Sequence, residues 1–202
     1  MKVIEFFGMP RAGKTEQVER LGNYLGRQGV KYLVITDRKV EEEIKVPVVE
    51  EFDYNLVFYS KILEKLLNAK HSGNYDLVIL DRGFTESEAW FNVVFSKSPA
   101  KKSHQLLAAR FIKNLRKQVD LGIFLLLDPE TTLERHEKKG EVGKSDDFTL
   151  KTRLRGLHAE YLKLEEKLKS KKRILIIDGR ESPESIESKV RERLSQAGIL
   201  KN

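Results

Sequence analysis

The sequence predicts an α/β fold, a three-layer sandwich with a five-stranded parallel sheet and helices on both faces. Two observations carry that expectation. Five short apolar runs rich in branched residues each end at a polar turn. Segments with helical periodicity separate them, and strict strand–helix alternation suits a parallel sheet because each crossover helix returns over a sheet face. Strands are expected at 2–7 (KVIEFF), 31–37 (KYLVITD), 75–81 (YDLVILD), 121–128 (LGIFLLLD) and 173–179 (RILIIDG). Helices are expected over 14–28, 54–70, 103–118, 130–139, 149–170 and 183–196. The stretches 38–52, 95–103 and 138–148 look least regular. The last, KKGEVGKSDDF, carries two glycines and reads as a mobile lid. No internal repeat or low-complexity linker divides the chain, so 1–202 is read as one domain.

Composition narrows the chemistry. With no cysteine, disulfides, thiolate metal sites and cysteine nucleophiles are excluded. His71, His104, His136 and His158 are scattered without ligand spacing, which argues against a structural metal. No apolar run reaches the roughly 20 residues of a membrane span, and MKVIEFF is too short for a signal peptide, so a cytoplasmic protein is expected. The formal charge of +7 points to an acidic partner. The basic residues are dispersed among 31 acidic ones, and the tightest groups, AKK (100–102) and SKKRI (170–174), lack interleaved aromatics. They read as solvated surface rather than as a nucleic-acid patch.

The first strand leads into FFGMPRAGKTEQ (6–17), where Gly8, Gly13, Lys14 and Thr15 have the spacing G-x-x-x-x-G-K-T. A strand before this loop and a capable helix after it are the setting of a phosphate-binding P-loop. Gly8 and Gly13 let the loop through Met9, Pro10, Arg11 and Ala12 turn its backbone N–H groups inward around phosphates. Lys14 would reach the β- and γ-phosphates and Thr15 would place its hydroxyl on Mg²⁺. ATP and Mg²⁺ are therefore the expected cofactors, in a P-loop NTPase sandwich.

The third, fourth and fifth strands each carry an aspartate at their carboxyl end. Asp128 precedes Pro129 and Glu130 and reads as a helix cap; Asp178 precedes Gly179 and fits a turn. Of these three, Asp81 alone is followed by arginine, in LVILDRGFTESEAWF. A carboxylate at the end of a buried strand beside the loop can hold the Mg²⁺ shell or orient the attacking oxygen. Arg82 can grip a phosphate bidentately or pair with a nearby acid. An arginine beside that carboxylate suggests a second anionic or sugar-bearing ligand.

With these residues in place the chain resembles the thymidylate kinases, within the P-loop nucleotide and deoxynucleoside kinases. The resemblance includes the 6–17 loop, TDR (36–38), LDRGFTESEAW (80–90), LDPETTLERHEKKG (127–140) and DDFTLKTRLRGLHAEYLKL (146–164). It implies that Arg11 supplies transition-state charge, since 136–148 carries lysines but no arginine. It further implies that Arg82 holds the acceptor phosphate, joined by Arg38, and that Arg135 lies near the donor base. Lys138, Lys139 and Lys144 would be lid cations. Phe58 would stack on the acceptor base, and Trp90 keeps step with the family's aromatic. Such proteins often dimerise through helices beside the sheet, so a homodimer is an expectation.

The departures fall on the acceptor side. Pro10 stands where the family often has an acid, Arg38 comes in TDRKVEEE rather than T-R-E-P, Gly83 replaces an aromatic and Phe91 a glutamine. At helical spacing Phe58, Trp90 and Phe91 also read as core. The expected activity is phosphoryl transfer from ATP to a nucleoside monophosphate, thymidylate by default. The alternatives are a nucleoside or other small-molecule kinase with Asp81 as base, and a nucleotide-binding switch with little turnover. A polynucleotide kinase is the weakest of them.

Overall fold

The computed structural model describes residues 1–45, 51–95, 102–138 and 147–200. The chain runs β1 (Lys2–Gly8), α1 (Lys14–Arg27), β2 (Tyr32–Thr36), α2 (Asp37–Glu43), α3 (Glu51–Ser72) and β3 (Leu77–Asp81). It continues with α4 (Ser87–Phe95), α5 (Lys102–Leu115), a 3₁₀ turn at Arg116–Gln118, β4 (Leu121–Leu126) and α6 (Pro129–Lys138). The last elements are α7 (Asp147–Leu168), β5 (Ile174–Asp178) and α8 (Pro183–Gln196). The five strands pair in parallel in the order β2-β3-β1-β4-β5. All five expected strands are present, and the central β1 pairs with β3 on one side and β4 on the other.

Alternation along the strands divides the apolar side chains between two cores. Leu77 and Ile79 join one core, with Val18, Leu21 and Leu25 of α1, Leu157 and Tyr161 of α7, and Val190 and Leu194 of α8. Val78 and Leu80 join the other, with Tyr59, Ile62 and Leu66 of α3, Phe91 of α4 and Ile112 of α5. Each fully buried Leu or Ile contributes about 1.5–3 kcal/mol. Together the cores fix the sheet between two helical layers, and the carboxyl ends of β1, β2 and β3 come out side by side. The register aligns Phe6 and Thr36 with Asp81. In open parallel sheets, ligands bind off these carboxyl ends.

Two helices were not expected from the sequence. Within the stretch read as irregular, 37–43 is helical, started by the Thr36 hydroxyl, which accepts from Lys39 N. Residues 87–95 form α4, which packs mainly against α7 and α5. Of the lid expectation, residues 139–146, with Lys139 and Lys144, lie outside the described residues. Among the described residues no helix is long and apolar enough to cross a membrane.

Candidate active site

The loop after β1 wraps a cavity of about 620 Å³. Its lining includes residues 10–17, Asp37, Asp81, Arg82, Arg135, His136 and Lys138. Gly8 has φ 126°, and a Cβ there would lie 2.0 Å from the Leu125 carbonyl oxygen, so only glycine lets the chain leave the sheet here. Arg11 is also left-handed, with φ 61°. It lines the cavity and its Nε donates to His136 Nδ1 at 3.5 Å.

Lys14 is buried, and its ammonium donates to the carbonyls of Gly8 at 3.0 Å and Met9 at 2.8 Å. Burial, and next the Arg82 charge, pull its pKa down to about 8. The Thr15 hydroxyl donates to Asp81 Oδ2 at 2.7 Å. Burial pushes the Asp81 carboxyl above the usual aspartate range, and the Thr15 hydrogen bond opposes it. Asp81 Oδ1 is buried with no hydrogen-bond partner among the described residues. A hydroxyl and a carboxylate with a spare buried oxygen are a donor set that fits Mg²⁺.

Arg82, with φ 66°, turns away from the strand. Its Nε faces Asp37 Oδ2 at 3.3 Å and Glu86 Oε1 at 3.8 Å, and its guanidinium lies 5.6 Å from the Trp90 ring centre. It joins the phosphate cavity to a second one of about 210 Å³, lined by Glu41, Tyr54, Phe58, Glu86, Trp90 and Arg153 among others. Arg153 covers the same Trp90 ring, also at 5.6 Å. Phe58 stacks on Tyr54 with centres 6.4 Å apart. The two cavities meet at one guanidinium, as a donor and an acceptor site must if a group is to pass between them.

Comparison with known proteins fits this geometry. No family model matches the chain. Thymidylate kinase from Carboxydothermus hydrogenoformans is 26% identical over 197 residues, covering 92% of each chain. Deoxyadenosine kinase from M. mycoides, solved with the products dCMP and a flexible dCDP bound, superposes with a TM-score of 0.62 at 16% identity. That match covers 96% of this chain and 99% of the other. The chain is thus similar in sequence to a thymidylate kinase and in fold to a deoxynucleoside kinase.

Within this fold the expected site residues separate. Gly8, Met9, Pro10, Arg11, Ala12, Gly13, Lys14 and Thr15 form the loop, and Asp81, Arg82 and Arg135 stand around it. Arg135 directs two nitrogens to backbone carbonyls, Arg11 at 2.9 Å and Gly179 at 3.0 Å. Phe58 and Trp90 line the second cavity, whereas Phe91 is core. Arg38 is placed elsewhere: its side chain is 87% exposed on α2 and pairs with Glu42 at 3.3 Å. Its neighbour Asp37 takes the inward position, because the N-terminus of α2 turns Asp37 toward Arg82 and sends Arg38 to solvent. Asp128 caps α6 by accepting from Thr131 N, and Asp178 accepts from Arg180 N, as their sequence contexts indicate.

Sequence reasoning missed Asp37, Glu86 and Tyr161. Glu86 is buried and accepts from Gly8 N at 3.1 Å and from the Tyr161 hydroxyl at 2.8 Å. It thereby ties the phosphate loop to the segment that carries Arg82. An acid close behind the arginine in sequence was the available signal, since a short turn can bring the two together.

Proposed function

We propose that the chain transfers the γ-phosphoryl group of ATP to a nucleoside monophosphate, with thymidylate as the first acceptor to test. The observation that carries this reading is the shared Arg82 guanidinium between the P-loop cavity and the aromatic cavity. On this reading Lys14 and Arg11 neutralise the donor phosphates, and Thr15 and Asp81 hold Mg²⁺. The metal, when bound, offsets phosphate charge. Arg82 and Arg153 meet the acceptor phosphate, while Phe58, Tyr54 and Trp90 present ring faces to its base. An acceptor phosphate oxygen attacks the γ-phosphorus as the bond to the ADP oxygen breaks. Catalysis consists of alignment and charge neutralisation, with no covalent step on the protein. The reaction belongs to the cytoplasm.

One observation favours a second reading, with a nucleoside hydroxyl as acceptor. Asp37 lines the phosphate cavity beside Arg82, and its carboxylate can take the proton that a hydroxyl must lose. ADP release is measured with ATP, Mg²⁺ and a panel of nucleoside monophosphates and nucleosides, using Lys14→Ala as control. Stimulation by a monophosphate, lost in the control, supports the first reading. Stimulation by nucleosides alone, with loss of about 10²-fold or more in Asp37→Asn, supports the second. An ATP analogue that binds without acceptor-dependent ADP release in any mixture would sink both.

A further inference from the structure

A second large cavity lies away from the phosphate loop, where β4 and β5 begin. Its volume is about 510 Å³, and Val119, Gly122, Leu168 and Ile174 supply apolar lining. Arg110, Lys113, Arg116 and Lys117 approach from the α5 side, and Lys167, Lys171 and Arg173 from the end of α7 and the start of β5. Seven basic side chains therefore face one lining carboxylate, Glu88. Part of SKKRI, which composition alone assigned to solvated surface, is thus one wall of a concave site.

We propose that this cavity binds a small oligophosphate, a ligand with two or more linked phosphoryl groups. The charge ratio calls for a polyanion, because like charges drawn together in a concavity repel unless a ligand compensates them. Among the described residues Glu88 pairs only with Arg116, at 3.2 Å, and with Lys167. Arg110, Lys113, Lys117, Lys171 and Arg173 form no ion pair among the described residues. One cation is already positioned: the Arg116 side chain is 12% exposed, fixed by Glu88 and by donation to the Phe84 carbonyl at 3.4 Å. Such a fork is suited to bidentate phosphate contact.

The size suits a ligand of nucleotide dimensions. Among the described residues the lining holds no aromatic, so phosphates rather than a base are what it reads. Single-stranded nucleic acid sites rely on aromatic faces as well as charge, which favours the small ligand over a polynucleotide. The site stands independently of the activity proposed above.

The test is calorimetric titration of tripolyphosphate into full-length Lys14→Ala protein, which weakens the competing phosphate loop. One site should remain. Reversing Lys171 and Arg173 together, both exposed, to glutamate in that background should weaken it at least tenfold. Arg27→Glu with Lys31→Glu, an equal change of charge on another exposed surface, should alter affinity less than twofold. Orthophosphate should bind at least tenfold more weakly than tripolyphosphate. Equal losses in the two charge-reversal pairs would reduce the cavity to diffuse surface charge and overturn the proposal. So would absence of binding by protein whose circular dichroism spectrum is intact. Tighter binding of a single-stranded oligonucleotide, lost in the same Lys171/Arg173 variant, would instead make the surface a nucleic-acid site.

Discussion

Lys14 is held in the phosphate loop as a cation that burial disfavours. Its ammonium is satisfied by the Gly8 and Met9 carbonyls, and its pKa falls to about 8. Phosphate oxygens favour the protonated form, so binding raises this pKa again. Below pH 8 the loop is already charged and affinity is insensitive to pH. Above it, binding must take up a proton, and affinity for an ATP analogue should fall by up to about tenfold per pH unit. Calorimetry at pH 9 in two buffers of different ionisation heat should show proton uptake approaching one per site. Lys14→Met should remove that uptake, and flat affinity between pH 7 and 9.5 in the parent would contradict the assignment. The neighbouring glycine makes a different demand. With φ 126° and the Leu125 carbonyl oxygen 2.0 Å from where a Cβ would stand, Gly8→Ala should cost about 3 kcal/mol or more, read as a lowered melting temperature.

Between β1 and the turn after β3, a buried acid acts as a bracket. Glu5 is fully buried and accepts from both Thr85 N and the Thr85 hydroxyl at 2.7 Å. A Cβ on Gly83 would lie 3.0 Å from the Glu5 carboxyl carbon, which accounts for glycine where the resembling kinases carry an aromatic. Burial raises the Glu5 pKa to about 7, against the two Thr85 hydrogen bonds, with Glu86 adding repulsion. The folded state thus holds a proton that the unfolded chain has released, and the stability this proton provides declines as pH rises from 4.5 to 7. The difference in unfolding free energy between parent and Glu5→Gln should shrink or reverse across that window, by about 3 kcal/mol at most. Denaturant titrations at pH 4.5, 6 and 8 would measure it; a difference constant with pH would refute the buried, raised carboxyl. Nothing in KVIEFF distinguishes Glu5 from a strand residue facing water, because the acid's surroundings come from a segment 80 residues away. The strands and the loop were legible since their signals are contiguous: apolar runs, and glycines at fixed spacing before Lys14. The two unexpected helices lack such signals. Val40 is the only buried residue of α2, and α4, SEAWFNVVF, is apolar around most of its circumference because helices pack on it from more than one side. The inward placement of Asp37 rather than Arg38 follows from α2 and was invisible with it.

The cavity around the phosphate loop is assembled from three distant parts of the chain, and one side chain spans them. Arg135 in α6 donates to the Arg11 carbonyl in the phosphate loop and to the Gly179 carbonyl after β5. Gly179 and Glu181 in turn line the cavity with Pro183 and Ile186 of α8. A charged donor with two carbonyl acceptors contributes about 1.5–3 kcal/mol per bond to holding these parts in register. Arg135→Ala should therefore loosen the cavity from the far side while leaving the loop's own glycine geometry and the Thr15–Asp81 contact intact. Its affinity for an ATP analogue should drop by about ten- to a hundredfold, a loss of about 1.4–3 kcal/mol. Hydrogen exchange separates this from general destabilisation. In the parent, the analogue should slow exchange in 8–17, 135–138 and 179–186 together, as expected for one site closing on one ligand. In Arg135→Ala at saturating analogue, protection should persist in 8–17 and be lost in 179–186. Loss in all three would mean that Arg135 supports the loop itself, and no loss in any would mean that the α8 side is held by its own packing against α1.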